Sequence, residues 1–333
     1  MYIYVKTGLH IFYRKIYVKN VQKIPKNDAV LFVANHQNAM MDPILIATHN
    51  TRVLYFLARA SAFKNKLAAK LLNAIHAIAI FRVRDGVNSK KLNVKVFEKC
   101  VELLSKKQTI LIFPEGSHSV KRQIRSLRSG FSQISYDFLS KNPNHKLYIV
   151  PVGLNFTDTL GYPEEVAIIY GDKIEANTFY EADYRKFTGK IIKEVSASLQ
   201  ALTVHIPKEN YEKILEKLDK SEYLTPQKTN AKIRDLSSFK IVNNSGKPKR
   251  KRNIFYYLLF INTLFAFLFW HWLKPKIKEK EFISTAKFSI GLTIFPLEYL
   301  AKSVFIFYFF NLKMAIIYII LSVFVVFLST KTN

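Results

Sequence analysis

A histidine and an aspartate close together in the chain are the residues with the clearest chemical potential. His36 follows an apolar run at residues 29–34, and Asp42 stands directly before Pro43. The run predicts a buried strand, and Asp-Pro predicts a helix start at which Asp accepts from the free N–H groups. A loop between them can place Asp42 against one imidazole nitrogen and leave the other able to accept a proton. The pair therefore predicts a general base, although an ordinary structural His–Asp contact has the same appearance.

Composition narrows the class of partner. The 333 residues include 51 Lys and Arg against 24 Asp and Glu, a net charge of +27. Such an excess attracts nucleic acid, anionic lipid headgroups or phosphorylated substrates, and the 49% hydrophobic content favours a membrane over nucleic acid. The single cysteine, Cys100, excludes an internal disulfide framework and suits a reducing compartment. We expect no metal site, because Cys and His do not cluster, and the amino terminus lacks a signal-peptide pattern.

Apolar runs alternate with helical patterns between residues 29 and 205. This alternation predicts an α/β fold with a mostly parallel twisted sheet flanked by helices, whose reactive groups gather at the strand ends. The expected strands are Ala29–Ala34, Val53–Leu57, Ile78–Arg82, Thr109–Phe113, Leu147–Leu154 and Val166–Tyr170. The expected helices include Pro43–His49, Lys64–Asn73, Ser89–Lys106, Gly130–Lys141 and Tyr184–Leu202.

Two arginines follow one expected strand end and a carboxylate follows another. Arg82 and Arg84 alternate along an extended chain, so both guanidinium groups point the same way, as a phosphate site needs and as many solvated surfaces also show. Glu115 could organise substrate hydroxyls or hold a phosphate-binding arginine. Gly116 permits a close backbone approach. The following segment is basic, with Lys121 and Arg122 among its cations.

The rest of the chain divides by composition. Residues 1–28 predict an amphipathic segment at the membrane surface, or an ordinary helix packed on the domain at 29–205. Residues 206–253 predict a charged helical linker that ends in a basic cluster at 247–252. Residues 254–328 predict a membrane region, with spans at about 254–273 and 303–328 and an interfacial segment at 288–300. Buried helices of a soluble domain are the alternative.

Four sequence blocks, taken in order, resemble the glycerolipid acyltransferase family, the glycerol-3-phosphate and 1-acylglycerol-3-phosphate acyltransferases. The resemblance covers about residues 10–205. The blocks are Asn35-His36 with Asp42, Ile80-Phe81-Arg82, Phe113-Pro114-Glu115-Gly116 and Val150-Pro151-Val152. Five residues separate His36 from Asp42 where four are usual, which resembles a subgroup with an extended block.

The resemblance implies transfer of a fatty acyl group to the hydroxyl of lysophosphatidic acid or glycerol-3-phosphate in phospholipid synthesis. The donor would be the thioester of acyl-CoA or acyl carrier protein, with no metal or cofactor. By resemblance, His36 is the base and Asp42 steadies it. The glycerol phosphate would be held by Arg82, Glu115 and Gly116, with Arg84, Lys121 and Arg122 as further candidates from charge, and the acyl or oxyanion region would include Val150 and Pro151.

The implied partners are membrane lipid, the phosphorylated acceptor and the acyl donor, and not nucleic acid. We expect an integral membrane protein with its catalytic domain on the cytoplasmic face. Two alternatives stay open. The acceptor could be another lysolipid, or the chain could be a catalytically inactive membrane-anchored homologue that binds lipid.

Overall fold

One eight-stranded mixed sheet organises the protein. The computed structural model describes residues 1–81, 89–235 and 253–332. The strand order is β1-β7-β6-β2-β5-β3-β4, with β8 beside β6. The strands are β1 (Lys15–Lys19), β2 (Ala29–Ala34), β3 (Leu54–Arg59), β4 (Ala77–Ile80), β5 (Thr109–Ile112), β6 (Leu147–Phe156), β7 (Glu165–Tyr170) and β8 (Ile174–Glu175). The strands from β6 to β4 are mutually parallel, while β7 and β8 run antiparallel to β6, so the predicted mostly parallel α/β fold is confirmed.

Helices cover both faces of this sheet, and four more follow it. Those of the sheet domain are α1 (Tyr2–Phe12), α2 (Met41–Thr48), α3 (Lys66–Ala74), α4 (Ser89–Ser105), α5 (Gly130–Lys141), α6 (Tyr184–Leu202), α7 (Tyr211–Lys217) and α8 (Pro226–Arg234). The carboxyl-terminal helices are α9 (Ile254–Asn262), α10 (Leu264–Leu273), α11 (Ile283–Phe309) and α12 (Leu312–Thr332).

The central strand β2 separates two hydrophobic cores. Its residues are all buried, as expected for a parallel strand with helices on both faces. Because side chains alternate along a strand, Val30 and Phe32 enter the core beside α2, whereas Leu31 and Val33 enter the core beside α4, α5 and α6. The sheet is therefore fixed from both sides, and the loops at its carboxyl edge start from a rigid base.

The amino-terminal segment is helical only in part. Helix α1 matches the predicted amphipathic helix, but residues 15–19 form β1, which pairs in parallel with β7 at the edge of the sheet. The sequence prediction for residues 1–28 is wrong at this strand. Three apolar or aromatic residues, Ile16-Tyr17-Val18, stand there between Lys15 and Lys19, and so short a run is compatible with a half-buried edge strand as well as with a helix.

Part of the predicted linker packs against the sheet domain. Residues 204–233 form a small core that includes Ile206, Ile214 and Tyr223. The Ile206 N–H donates to the carbonyl oxygen of Arg122 at 2.8 Å, and the Arg122 N–H donates to the hydroxyl of Tyr211 at 2.8 Å. Residues 206–235 are thus folded onto the domain, and the basic cluster at 247–252 lies outside the described residues.

The membrane region differs from its prediction in two places. Helix α11 runs unbroken through residues 288–300, which were expected to form a separate interfacial segment. The expected first span is broken at Thr263, where α9 and α10 meet at 84°. Within the described residues, two stretches are long and apolar enough to cross a membrane, Lys280–Phe309 and Leu312–Thr332, or three if the bent pair is one span. Helix α11 tolerates Glu298 because its carboxylate is paired with Lys302 at 2.8 Å.

These helices are docked on the sheet domain through backbone carbonyl groups. The Lys331 ammonium donates to the carbonyl oxygens of His10, Tyr13 and Arg14, each at 2.8 Å, at the carboxyl end of α1. The Ser284 hydroxyl donates to the carbonyl oxygen of Thr159 at 2.7 Å. The start of α11 and the end of α12 therefore both meet the sheet domain, and the apolar helices extend from one side of it.

Helix α2, which carries Asp42, yields a prediction about acid stability. Burial lowers the pKa of His49, at the end of α2, from 6.5 to about 4. The unfolded chain therefore takes up a proton that the folded protein resists, and stability should fall as the pH drops from 6.5 towards 4. We expect His49→Gln to flatten this part of the pH profile of the melting temperature. The exposed His145→Gln is the control, and an unchanged profile in His49→Gln would contradict the assignment.

Candidate active site

A cavity of about 770 Å³ lies at the carboxyl edge of the parallel strands. His36 follows β2, Arg59 ends β3 and Phe113 follows β5, and all three line it. Parallel strands deliver their carboxyl ends to the same edge, which explains how residues distant in the chain meet there. The wall is mainly apolar and includes Met40, Pro43, Phe56, Leu57, Leu72, Ile80, Phe81, Val94, Phe97 and Ile112.

The cavity wall carries a His–Asp pair. His36 Nδ1 lies 2.7 Å from Asp42 Oδ2. The same oxygen accepts from the backbone N–H groups of Gln37 and Asn38, both at 2.8 Å. Asp42 is fully buried, so these three donors replace the water that its Oδ2 has lost. Asp42 was expected to cap α2, and this is corrected: the N-cap is Met40, and the carboxylate faces back into its own loop.

The loop between His36 and Asp42 is anchored to a neighbouring strand and contains one strained residue. The Asn35 side chain donates to the Leu154 carbonyl oxygen at 3.0 Å and accepts from the Leu154 N–H at 2.7 Å, which anchors the loop to β6. Within the loop, Ala39 has a φ of 38°, a left-handed conformation that is strained for a residue with a side chain. This local strain lets a spacing of five residues still return Asp42 to His36.

The second nitrogen of His36 is available to substrate. The ring stacks on Phe113, with centroids 4.1 Å apart and planes 18° apart, and meets the His118 ring edge-on at 5.4 Å. Within the described parts of the chain, His36 Nε2 has no hydrogen-bond partner. With Nδ1 donating to Asp42, Nε2 holds a lone pair, so the arrangement can remove a proton from a hydroxyl group in the cavity.

Glu115 supports the histidine loop and does not face a substrate. Its Oε1 accepts from the His36 N–H at 3.3 Å, and its Oε2 is paired with Arg125 Nε at 2.5 Å. The Arg125 guanidinium also donates to the hydroxyl and the carbonyl oxygen of Ser117. Burial raises the pKa of the Glu115 carboxyl, and the Arg125 charge opposes this increase. Of the two predicted roles, the structure favours holding an arginine in place.

Gly116 brings the backbone against a cation of the cavity wall. Its φ is 71°, and a Cβ atom there would lie 2.5 Å from Arg128 Nε. Only glycine satisfies both conditions without strain or displacement. Gly116 and Arg128 both line the cavity, so this turn presents a guanidinium group to whatever the cavity holds.

The other predicted phosphate ligands are Arg82, Arg84, Lys121 and Arg122. Arg82 and Arg84 lie outside the described residues. Lys121 is exposed and packs over the Tyr211 ring at 5.3 Å. Arg122 is buried, 3.4 Å from the centre of the Tyr223 ring. Neither Lys121 nor Arg122 lines the cavity, so their candidacy is corrected: the first covers a surface aromatic ring, and the second joins the sheet domain to the segment after α6.

Val150 and Pro151, expected in the acyl or oxyanion region, belong to the sheet interior. They pair with Phe32 and Val33 in the β2–β6 ladder. Val150 is fully buried in the core, and the Pro151 carbonyl oxygen accepts from the Gly171 N–H at 2.8 Å. Neither residue lines the cavity. The expectation is corrected, because β6 lies inside the sheet, where its backbone groups bond to the parallel strand β2 on one side and to the antiparallel strands β7 and β8 on the other.

Sequence reasoning missed a cluster contributed by the carboxyl-terminal region. Glu279 pairs with His118 Nε2 at 2.5 Å and with Arg59 Nη1 at 3.3 Å, and Phe282 lines the cavity. Burial acts to raise the pKa of Glu279, but the His118 hydrogen bond and the Arg59 charge outweigh it and lower that pKa. Arg59 was detectable from its place at a strand end. Glu279 was not, since it lies 161 positions after His118 in the chain.

Comparison with known proteins gives three findings. Residues 15–155 match the family model described as Acyltransferase. A probable 1-acyl-sn-glycerol-3-phosphate acyltransferase of Mycoplasma pneumoniae is 23% identical over 217 residues, 59% of this chain and 75% of that protein. Glycerol-3-phosphate O-acyltransferase 2 of Saccharomyces cerevisiae is 24% identical over 119 residues, which are 34% of this chain and only 16% of the yeast protein.

One solved structure is also similar. It is the crystal structure of the 1-acyl-sn-glycerophosphate (LPA) acyltransferase PlsC from Thermotoga maritima, with 20% identity and a TM-score of 0.38. The match covers 56% of this chain and 73% of that one.

Two asparagines form a matched pair for testing the histidine loop. Asn35 and Asn155 are both buried, and each side chain bridges a backbone N–H and a carbonyl oxygen, but only Asn35 adjoins His36. We expect Asn35→Ala and Asn155→Ala each to cost about 1–3 kcal/mol of folding free energy, because two buried backbone groups lose their partner. Both variants should thus lose similar stability, but the enzymatic activity of the folded protein should fall strongly only in Asn35→Ala. Equal activity losses in the two folded variants would contradict this role.

Proposed function

We propose, from the match of residues 15–155 to the Acyltransferase family model, that the protein acylates the hydroxyl group of a glycerol phosphate. The preferred acceptors are 1-acylglycerol-3-phosphate and glycerol-3-phosphate. The donor is the thioester of acyl-CoA or acyl carrier protein. The observation that carries the proposal is the His36–Asp42 contact of 2.7 Å on the wall of a largely apolar cavity.

The proposed reaction needs only groups that this arrangement supplies. His36 Nε2 takes the hydroxyl proton while the hydroxyl oxygen attacks the thioester carbonyl carbon. Asp42 stabilises the imidazolium that forms, through the hydrogen bond to Nδ1. The carbon–sulfur bond then breaks, and the thiolate leaves with a proton returned by His36. A thioester is already activated, so the mechanism requires no metal.

The cavity offers separate places for the two parts of the substrate. Apolar residues from α2, β3 and α4 suit an acyl chain, whose burial contributes about 0.8 kcal/mol per CH₂ group. Arg128 is the described cation best placed for phosphate, since it lines the cavity beside Gly116 and its guanidinium can bind two oxygens at once. Arg59 also lines the cavity but is paired with Glu279. Arg82 is retained as a phosphate ligand on the resemblance alone.

Membrane attachment fits this chemistry. The start of α11 and the end of α12 both contact the sheet domain. If these helices span the membrane, the contacts would hold the cavity close to the bilayer surface. A lipid acceptor could then be acylated without exposing its chains to water. We propose that the domain lies on the cytoplasmic face.

The base is tested by two substitutions. We expect His36→Ala to lower kcat by about 10²–10⁴-fold, the usual contribution of general-base catalysis, and Asp42→Asn to lower it by a smaller factor. Product formation is measured by mass spectrometry with purified protein in detergent. His145→Ala, a change of an exposed histidine outside the cavity, is the control. Near wild-type turnover in folded His36→Ala would contradict the proposal.

Phosphate binding is tested by the acceptor KM. Arg128→Ala and Arg82→Ala should each raise the KM for the phosphorylated acceptor by about tenfold or more, equivalent to losing about 1.4 kcal/mol of a charge-assisted contact, with little change in kcat. The exposed Arg185→Ala, on α6, should change neither constant. An unchanged acceptor KM would remove the substituted arginine from the site.

A panel of acceptors separates the remaining alternatives. Glycerol-3-phosphate, lysophosphatidic acid and other lysophospholipids are offered with acyl-CoA and with acyl carrier protein. A phosphomonoester acceptor should be used fastest, because the guanidinium beside Gly116 favours a terminal phosphate. Faster use of a lysolipid without that group would replace the proposed acceptor. Lipid binding without any product would favour the inactive homologue.

A further inference from the structure

The broken helix α9–α10 is explained by its contacts along α12 and α11. From these contacts we infer that α9 and α10 form a re-entrant hairpin. It enters only the bilayer leaflet next to the sheet domain, and its partner is the acyl chains of that leaflet. Its two ends then lie on the same side of the membrane as the catalytic cavity.

Helix α9 descends along α12 from the sheet-domain side. At its start, the Asn253 side chain donates to the hydroxyl of Thr332, next to the Lys331 ammonium that binds the end of α1. At its end, the Asn262 amide donates to the Ser322 hydroxyl at 2.9 Å. Thr332 lies ten positions after Ser322 on α12, a rise of about 15 Å, which is half of a hydrocarbon core of about 30 Å.

Helix α10 returns along α11 towards the same side. Near its start, the Ala266 N–H donates to Glu298 at 3.2 Å. Further on, the Trp270 ring lies 5.6 Å from the Lys287 ammonium, one residue before Phe288 of the sheet-domain core. The chain then reaches Glu279, which pairs with His118 and Arg59 at the cavity. From the start of α10 to its end, the contacted residue of α11 thus changes from Glu298 to Lys287, which is nearer the amino end of α11. Helix α10 therefore returns towards the sheet domain and does not cross the membrane.

The turn between the two helices has the partners that a break inside lipid requires. Lys302 Nζ donates to the Asn262 carbonyl oxygen at 2.7 Å, and Glu298 accepts from the Ala266 N–H. The cation therefore meets the carboxyl end of α9 and the anion meets the amino end of α10, as the two helix dipoles favour. The Tyr318 hydroxyl donates to the Asn262 side chain at 2.7 Å. Exposed backbone groups are costly in hydrocarbon, and here a backbone group at each of the two helix ends has a charged partner within the protein.

The outward surface of the hairpin suits lipid. Ile254, Ile261, Phe265 and Leu268 are each more than half exposed. At the returning end, Trp272 lies under the Lys276 ammonium, 3.1 Å from its ring centre, an aromatic and cationic pairing typical of the interface with water. The hairpin therefore brings lipid chains of one leaflet up to the residues, such as Phe282, that line the cavity.

Cysteine labelling in sealed vesicles tests the topology without depending on catalysis. The full chain carries Cys100→Ser, which removes its buried native cysteine. Three single variants are then made: Lys193→Cys on exposed α6 as the reference, Lys276→Cys after α10, and Asn311→Cys between α11 and α12. A membrane-impermeant maleimide is applied from one side, and again after permeabilisation. Detergent-solubilised samples show that all three thiols can react.

The re-entrant hairpin predicts that Lys276→Cys labels from the same side as Lys193→Cys, and that Asn311→Cys labels only from the other side. Labelling of Lys276→Cys from the side opposite to Lys193→Cys would show a full crossing by α9–α10 and overturn the inference. Labelling of all three from one side would show helices lying on the surface, which also overturns it. Loss of acyl transfer with the expected labelling would count against the proposed function alone.

Discussion

The buried Asp42 carboxylate is the constraint on which the site depends. A carboxylate removed from water is costly unless hydrogen-bond donors surround it, and here one oxygen collects three, from the His36 ring and from the backbone of Gln37 and Asn38. The loop folds around the charge, so the imidazole is oriented by the same interaction that stabilises the loop. Removing the carboxylate would disturb both. The loop holds the His36 ring 2.7 Å from Asp42 with Ala39 in a left-handed conformation.

Hydrogen bonds from neighbouring segments restrain this loop further. Asn35 ties it to β6, Glu115 accepts from the His36 N–H, and the His36 carbonyl oxygen accepts from the Ser119 N–H at 3.0 Å. These anchors come from β6 and from the segment after β5. Both strands flank β2, and because they run parallel to it, their carboxyl ends lie at the same edge of the sheet. The segment between α10 and α11 adds Phe282 to the cavity wall and pairs Glu279 with His118, so the membrane region and the reactive group belong to one structure.

The sequence predicts local elements well and distant contacts poorly. Helices α5 and α6 have the predicted bounds, and so does β2, because periodicity and flanking residues are local signals. The approach of His36 to Asp42 was also predictable, since a short loop has few ways to close. Arg122 and Val150 were misplaced because charge and strand composition do not reveal which face a side chain takes. The Glu279–His118 pair could not be predicted, since it depends on how the last helices dock.

The central claim is that Asp42 holds His36 with its Nδ1 protonated and its Nε2 free. The most direct measurement is ¹⁵N NMR of the histidine imidazole nitrogens in the detergent-solubilised protein at a pH where the ring is neutral, with His36→Gln used to assign the His36 signals. The account predicts a protonated Nδ1 coupled to its hydrogen and a bare Nε2, and loss of this preference in Asp42→Asn. A His36 ring protonated at Nε2, or unchanged by Asp42→Asn, would contradict it.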